Sequence, residues 1–210
     1  MATPPKGSRP ARGKSLLRIG LEVLLISVGV FLGLAGEQWR EDRRHRELAE
    51  SSLRRLRTEI QTNRKAVEAV KDYHVKTLKS LRTYFGKERG ARNTADVQIQ
   101  GLQFVFFEDT AWNLTLTTQA LTYIDSNLAF ALSRVYGEQK MGAELTRGMS
   151  QAMYMLSIAD NFDGFAAAAG TYYGDMVIME PKLIQDYDEL LPQIDRALGE
   201  RAAGQHASNH

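Results

Sequence analysis

The sequence predicts an all-α protein, an N-terminal transmembrane helix continuous with the first helix of a four-helix bundle. Three observations carry this prediction. A run of twenty mostly apolar residues, Leu16 to Ala35, stands near the start. No Gly or Pro interrupts the chain from Glu37 to Phe85, so a helix can run on from that segment. Beyond it, apolar residues recur at spacings of three, four and seven, the period of a half-buried helix. The chain therefore divides into a disordered basic tail (1–15), a transmembrane helix (16–36), a helical bundle domain (37–200) and a disordered tail (201–210).

The apolar run reads LLRIGLEVLLISVGVFLGLA. As a helix it spans roughly 30 Å, the thickness of a hydrocarbon core. Its charges, Arg18 and Glu22, sit four apart on one face near one end, where they can pair and Arg18 can reach the head groups. Trp39 follows the run at the place of an interfacial aromatic anchor. Gly29 and Gly33 form a GxxxG pair that Gly36 extends, a small face on which two membrane helices can meet in a homodimer. A cleaved signal peptide is the rival reading, with Gly33 and Ala35 placed for cleavage. The length of the run and the presence of Glu22 speak against it.

Positive charge flanks the run on both sides, so the positive-inside rule nearly ties. The N-terminal tail holds Lys6, Arg9, Arg12, Lys14 and Arg18 with no acid, which favours a cytoplasmic tail and a periplasmic domain at a bacterial inner membrane.

Leu53, Leu56, Ile60, Val67, Val70, Leu78, Leu81 and Phe85 make the apolar stripe of the first bundle helix, which should end near Gly86. Asn63 and His74 fall where apolar residues belong. Residues 86–103 read as a loop, and VQIQGLQF (97–104) alternates like a strand without an obvious partner, so we expect an extended connector. FVFF (104–107) is too apolar for water and should plug one end of the bundle. Asp109 and Thr110 suggest a cap for a second helix, apolar on two faces and so buried between neighbours, with Thr115, Thr118 and Thr122 along a third face. Asp125 or Ser126 then caps a third helix, which Leu128, Leu132, Val135, Gln139, Leu145, Met149, Leu156 and Ile158 carry to about Ala159. ADNFDG (159–164) reads as a kink or turn, and FAAAAG (165–170) can add another helical turn. A fourth helical region follows Gly174, with Pro181 and Pro192 marking segment starts, and ends near Gly199.

Residues 17–63, from LRIGLEV to LRTEIQTN, resemble the start of a widespread group of bacterial membrane proteins in which a membrane helix leads into a Trp-, acid- and Arg-rich stalk. The block DTAWNLTLTTQALTYIDSNLAFALSRVYGEQ (109–139) is similar to that group as well. The resemblance covers about half the chain. It implies the single span and the helical domain, and it implies no activity. One departure is Thr117-Thr118-Gln119, where the group's pattern has a small polar residue and Gly.

Composition narrows the chemistry. The chain has 210 residues, 43% hydrophobic and 25% charged, enough for one ordinary domain and an appendage. With no cysteine there is no disulfide framework, thiolate site or cysteine nucleophile. A net charge of +2 argues against nucleic acid as a partner. Residues 53–92 hold twelve Lys/Arg against four Asp/Glu, whereas residues 171–200 hold two against seven. These stretches should pack as neighbours with complementary surfaces; the alternative is an anionic partner for the basic helix.

No catalytic motif, cofactor fingerprint or metal-ligand spacing is present. Glu41 and His45 belong to a solvated stalk, and Asp160 and Asp163 to a capping turn. Two features remain for a ligand. One is the polar seam Thr115/Thr118/Thr122. The other is a soft lining of Met149, Met153, Tyr154 and Met155 with Tyr172 and Tyr173. Ordinary core packing is the favoured explanation of both. The expectation is a non-enzymatic, membrane-anchored interaction or scaffold module without cofactor, partnered by the lipid bilayer and an unknown protein. The alternatives are a ligand-sensing bundle and an enzyme with an unrecognised site.

Overall fold

The computed structural model describes the backbone of residues 12–155 and 161–207, and the side chains of 21–155 and 161–200. Residues 1–11 of the basic tail, the side chain of Arg18 with its pairing to Glu22, and Leu156, Ile158 and Ala159 lie outside the described residues. Among these residues the chain is all-α, with no strand. Its four helices are α1 (Arg12–Phe85), α2 (Thr110–Thr117), α3 (Ser126–Met155) and α4 (Phe162–Ala207).

The chain forms two compact units, residues 1–45 and 46–210. The stalk from Glu37 to His45 therefore groups with the apolar segment rather than with the bundle. In the first unit, α1 begins at Arg12, inside the stretch read as tail. Its large apolar side chains from Leu21 to Leu34 are 45% to 69% exposed, so none has a protein partner. Gly29, Gly33 and Gly36 face open space, and Trp39 is exposed.

In the second unit the apolar stripe of α1 supplies two cores. Leu53, Leu56 and Ile60 pack with Leu128 and Leu132 of α3 and Leu190 and Ile194 of α4. Leu78, Leu81 and Tyr84 pack with Met149 of α3 and Phe165, Ala169 and Tyr173 of α4. This order makes α3 parallel to α1 and α4 antiparallel to both. The charge asymmetry resolves across the same faces: Arg64 of α1 meets Asp188 of α4 at 2.7 Å, and Arg57 meets Asp195. Each is half-exposed and worth at most about 1 kcal/mol, so the pairs set register more than stability.

The helix ends follow local chemistry. α1 stops at Phe85, where the Gly86 N–H bonds the Arg82 carbonyl at 2.9 Å. Asp125 caps α3, its Oδ1 accepting from the N–H groups of Asn127 and Leu128. Asn161 caps α4 through the Gly164 N–H. α4 starts twelve residues before the Gly174 boundary, at Phe162, and runs unbroken through Pro181 and Pro192. Both prolines lie on its exposed side, where water can take the hydrogen bond that the missing N–H leaves open. The helix also continues past Gly199 to Ala207, because Ala197, Ala202 and Ala203 favour it.

α2 is shorter than its apolar stripes suggest. It ends at Thr117, Gln119 adopts a left-handed conformation (φ 56°), and a 3-10 turn covers Ala120–Tyr123. The backbone break stops the two stripes from sharing one helix, so Leu114, Leu116 and Tyr123 stay partly exposed. Left-handed geometry strains a residue with a Cβ, so Gln119→Gly should stabilise the domain by about 0.5–1 kcal/mol. The check is a melting curve, and an unchanged or lower midpoint would contradict the assigned conformation.

FVFF does not plug an end. Val105 is buried in the first core, Phe104 and Phe107 are half-buried, and Phe106 is 77% exposed. An extended backbone sends alternate side chains to opposite sides, so four consecutive residues do not all face inward.

Candidate functional site

A polar layer of two buried pairs interrupts the apolar cores, Asn63 with Gln139 within the first core and His74 with Glu180 between the two. Asn63 and His74 of α1, Gln139 of α3 and Glu180 of α4 are each at most 2% exposed. The connector from Val97 to Asp109 passes this layer, with Leu102 in one core and Val105 in the other. It pairs with no strand, yet its backbone groups need partners. Side chains of the helices supply them. The Tyr73 hydroxyl accepts from the Gln100 N–H at 2.9 Å and donates to the Gly101 carbonyl. Thr77 donates to the Gln98 carbonyl, and the Gln98 N–H donates to Ser80. Tyr173 of α4 donates to the Leu102 carbonyl. Asn63 binds residue 108 in both directions, each bond 2.8 Å. Its amide imitates the edge of a neighbouring strand. This is why Asn63 interrupts the apolar stripe.

His74 has the same reason. Its Nε2 lies 3.1 Å from the Gln103 carbonyl and Nδ1 2.6 Å from Glu180 Oε1. A carbonyl only accepts, so the contact with Gln103 is a hydrogen bond when Nε2 is the donor. The rings of Tyr73, Tyr172 and Tyr173 enclose the imidazole at centroid distances of 5.1 to 6.2 Å. Glu180 Oε2 is buried without a hydrogen-bond partner among the described residues.

A second buried carboxylate organises α2. Asp109, at the cap position, makes no side-chain cap bond. Glu59 of α1 does that work from across the core: Oε2 accepts from the Ala111 N–H at 2.6 Å and Oε1 from the Trp112 N–H at 3.2 Å. Oε1 also accepts from the Tyr136 hydroxyl at 2.7 Å, and the Tyr136 ring stacks on Trp112 at 4.6 Å.

Burial raises the ionisation of Tyr136, Tyr172, Tyr173 and Tyr187, Tyr172 to about 12. Each stays protonated in the fold above the unfolded tyrosine value of about 10. Their stabilisation is complete below that value and is lost as pH rises through the folded ones. The domain should therefore lose about 1.4 kcal/mol per pH unit per tyrosine above about pH 10. The tyrosinate absorbance of these four should appear together with loss of helix; ionisation of all eight tyrosines with the helices intact would contradict it. At the start of α4, the Tyr84 hydroxyl, and then Arg92 and Arg89, hold Asp163 below the usual carboxylate range.

The predicted threonine seam is not a seam. Thr115 is buried, whereas Thr118 and Thr122 are exposed. All three hydroxyls bond back to nearby carbonyls, of Ala111, Leu114 and Gln119 respectively. The break at Gln119 also puts Thr122 outside α2. The Met/Tyr lining divides too. Met149, Tyr172 and Tyr173 are buried and Met153 is half-buried, but Tyr154 and Met155 are 93% and 87% exposed. Position on a helix decides this, and a string of neighbours in sequence covers every side of one.

Concavities open on the bundle, among them one of about 470 Å³ over Leu78, Leu81, Phe85 and Gly170, and two lined by α3. One, about 510 Å³, runs between α3 and α4 over Leu145, Met149, Ala168 and Tyr172, with Glu144 on one wall and Asp175 on the other. The other, about 430 Å³, lies beside Trp112 and Tyr136, lined also by Lys140 and Arg147 and by Asp109 and Glu144. No group of three His, Asp or Glu side chains converges as a metal set among the described residues. Compared with protein-family models, with curated proteins and with solved structures, the chain matches none.

Proposed function

We propose that the chain is a membrane-anchored helical interaction or scaffold module, and that it is not an enzyme. One observation carries this reading: an apolar helical segment, long enough to cross a membrane, whose large side chains are all exposed. Such a surface is stable against lipid tails and costly in water. The buried polar groups support the non-catalytic part. Asn63, His74 and Glu59 bond backbone or neighbouring side chains, and the threonine hydroxyls bond their own turns. On this reading the span sits in a bacterial inner membrane with the bundle in the periplasm, and the open face of Gly29, Gly33 and Gly36 offers a homodimer contact.

The test is extraction of native membranes with alkaline carbonate, together with a C-terminal reporter fusion. Retention in the membrane and periplasmic reporter activity are expected. A mature chain beginning near Glu37, or release by carbonate, overturns the anchor; a cytoplasmic reporter overturns the orientation.

A ligand-sensing bundle is the second reading, and the cavity beside Trp112 favours it. Lys140 and Arg147 form no ion pair among the described residues, and the volume suits a small molecule. A thermal-shift screen of the detergent-solubilised chain with small organic anions decides it, since a bound ligand must raise the midpoint.

A further inference from the structure

We propose that the groove between α3 and α4 receives an amphipathic helix of a partner protein, one carrying Lys or Arg beside its apolar anchors. The inference rests on the interaction-module reading and names the surface and the chemistry of its occupant.

Four observations define the occupant. The floor is apolar: Leu145, Met149, Ala168 and Tyr172 line a volume of about 510 Å³. Two antiparallel helices form its walls, and the furrow between such helices takes a third helix through anchors at i, i+3, i+4 and i+7. The walls are low. Gly148 borders the furrow, and a Cβ there would meet no atom within 4 Å, so a helix can approach closely. Charge then selects the sign of the partner. Glu144 stands on the α3 wall and Asp175 on the α4 wall, both exposed, and neither is ion-paired among the described residues.

Elsewhere on α4 three acids are already matched. Asp188 and Asp195 meet arginines of α1, and Asp186 meets Lys182 and Arg134. Glu144 and Asp175 carry no such cation, and they are the charged side chains that line the furrow. A methionine on the floor adds a side chain that reshapes to different apolar anchors. Lipid is a poorer fit, because anionic head groups are repelled by these two carboxylates.

The experiment places a photocrosslinking residue at Thr171, on the furrow, in the full chain in its native membranes. A second chain carries it at Lys79, on the exposed side of α1. The expected result is a protein adduct at Thr171 whose crosslinked peptide is a Lys- or Arg-bearing amphipathic helix. Its yield should fall about ten-fold in the Glu144→Lys/Asp175→Lys variant, the effect of two exposed ion pairs. Gly148→Trp should abolish it by filling the furrow. The neutral pair Glu144→Gln/Asp175→Asn provides a gentler version, with about a three-fold loss, if charge reversal disturbs folding. No adduct at Thr171, an adduct to lipid or to a second copy, or a yield indifferent to these changes overturns the proposal. Protein adducts at Lys79 alone overturn the groove and leave the interaction module standing. Protein adducts at neither position overturn both.

Discussion

Glu180→Ala should lower the unfolding free energy of the bundle by about 3–5 kcal/mol, the cost of breaking a buried ionisable pair from one side. The His74 and Glu180 side chains are 0% and 2% exposed and 2.6 Å apart. Removing the carboxyl group leaves Nδ1 facing a cavity, and water or the tyrosine rings would have to replace a strong hydrogen bond. Glu180→Gln should be much milder, at about 1 kcal/mol, because an amide N–H can donate to Nδ1 while Nε2–H keeps the Gln103 carbonyl. His74→Ala should cost as much as Glu180→Ala, and it should also free the connector at Gln103, which a rise in amide exchange around residues 100–105 would show. The decisive quantity is the coupling. His74→Leu/Glu180→Leu, which removes both ionisable groups, should be far less destabilised than the two single changes summed. Denaturant titration of the detergent-solubilised chain measures all of these. Additive single and double effects would mean that the pair contributes nothing as a pair.

The position of this layer was partly legible in the sequence. Asn63 and His74 stand out as misfits in the stripe of α1, and VQIQGLQF has a strand period without a partner strand. The two anomalies explain each other once the fold is seen, because the misfit side chains bond the partnerless backbone. Local signals could not join them: Asn63 meets residue 108, forty-five positions away. Glu180 gave no signal at all, since a glutamate before a proline in an acidic stretch reads as a solvated turn. The same limit explains the prolines. Pro181 breaks a helix only where its carbonyl partner is buried, and exposure is a property of the packed bundle. Signals contained within one turn fared better. Gly86 ends α1 and Asp125 caps α3 as their local chemistry dictates. The α3/α4 groove was half visible, through Met149 and Tyr172. Its acidic walls were hidden among ordinary surface charges.

Glu59→Ala is expected to destabilise the domain by about 2–4 kcal/mol, comparable to the loss of the His74–Glu180 pair, and to act chiefly on α2. Three donors converge on this carboxylate: the N–H groups of Ala111 and Trp112 and the hydroxyl of Tyr136. The substitution takes the cap from an eight-residue helix and strands a buried phenol together with two N–H groups. An isolated helix this short is unstable in water, so its order depends on the tertiary cap and on the Trp112–Tyr136 stack. The loss should therefore be uneven. Amide protection should drop across residues 110–124 while the centres of α3 and α4 stay protected, and Trp112 should move into a more polar environment, read by fluorescence with Trp39 replaced by Phe. Glu59→Gln separates charge from shape. An amide oxygen still accepts from one or two of the donors, but its NH2 faces N–H groups that only donate, so this variant should recover less than half the loss. Tyr136→Phe should cost less, about 1–2 kcal/mol, since it removes one donor and leaves the cap of α2 in place. If Tyr136→Phe proved as damaging as Glu59→Ala, the carboxylate would be serving the phenol, and its role as the cap of α2 would fall.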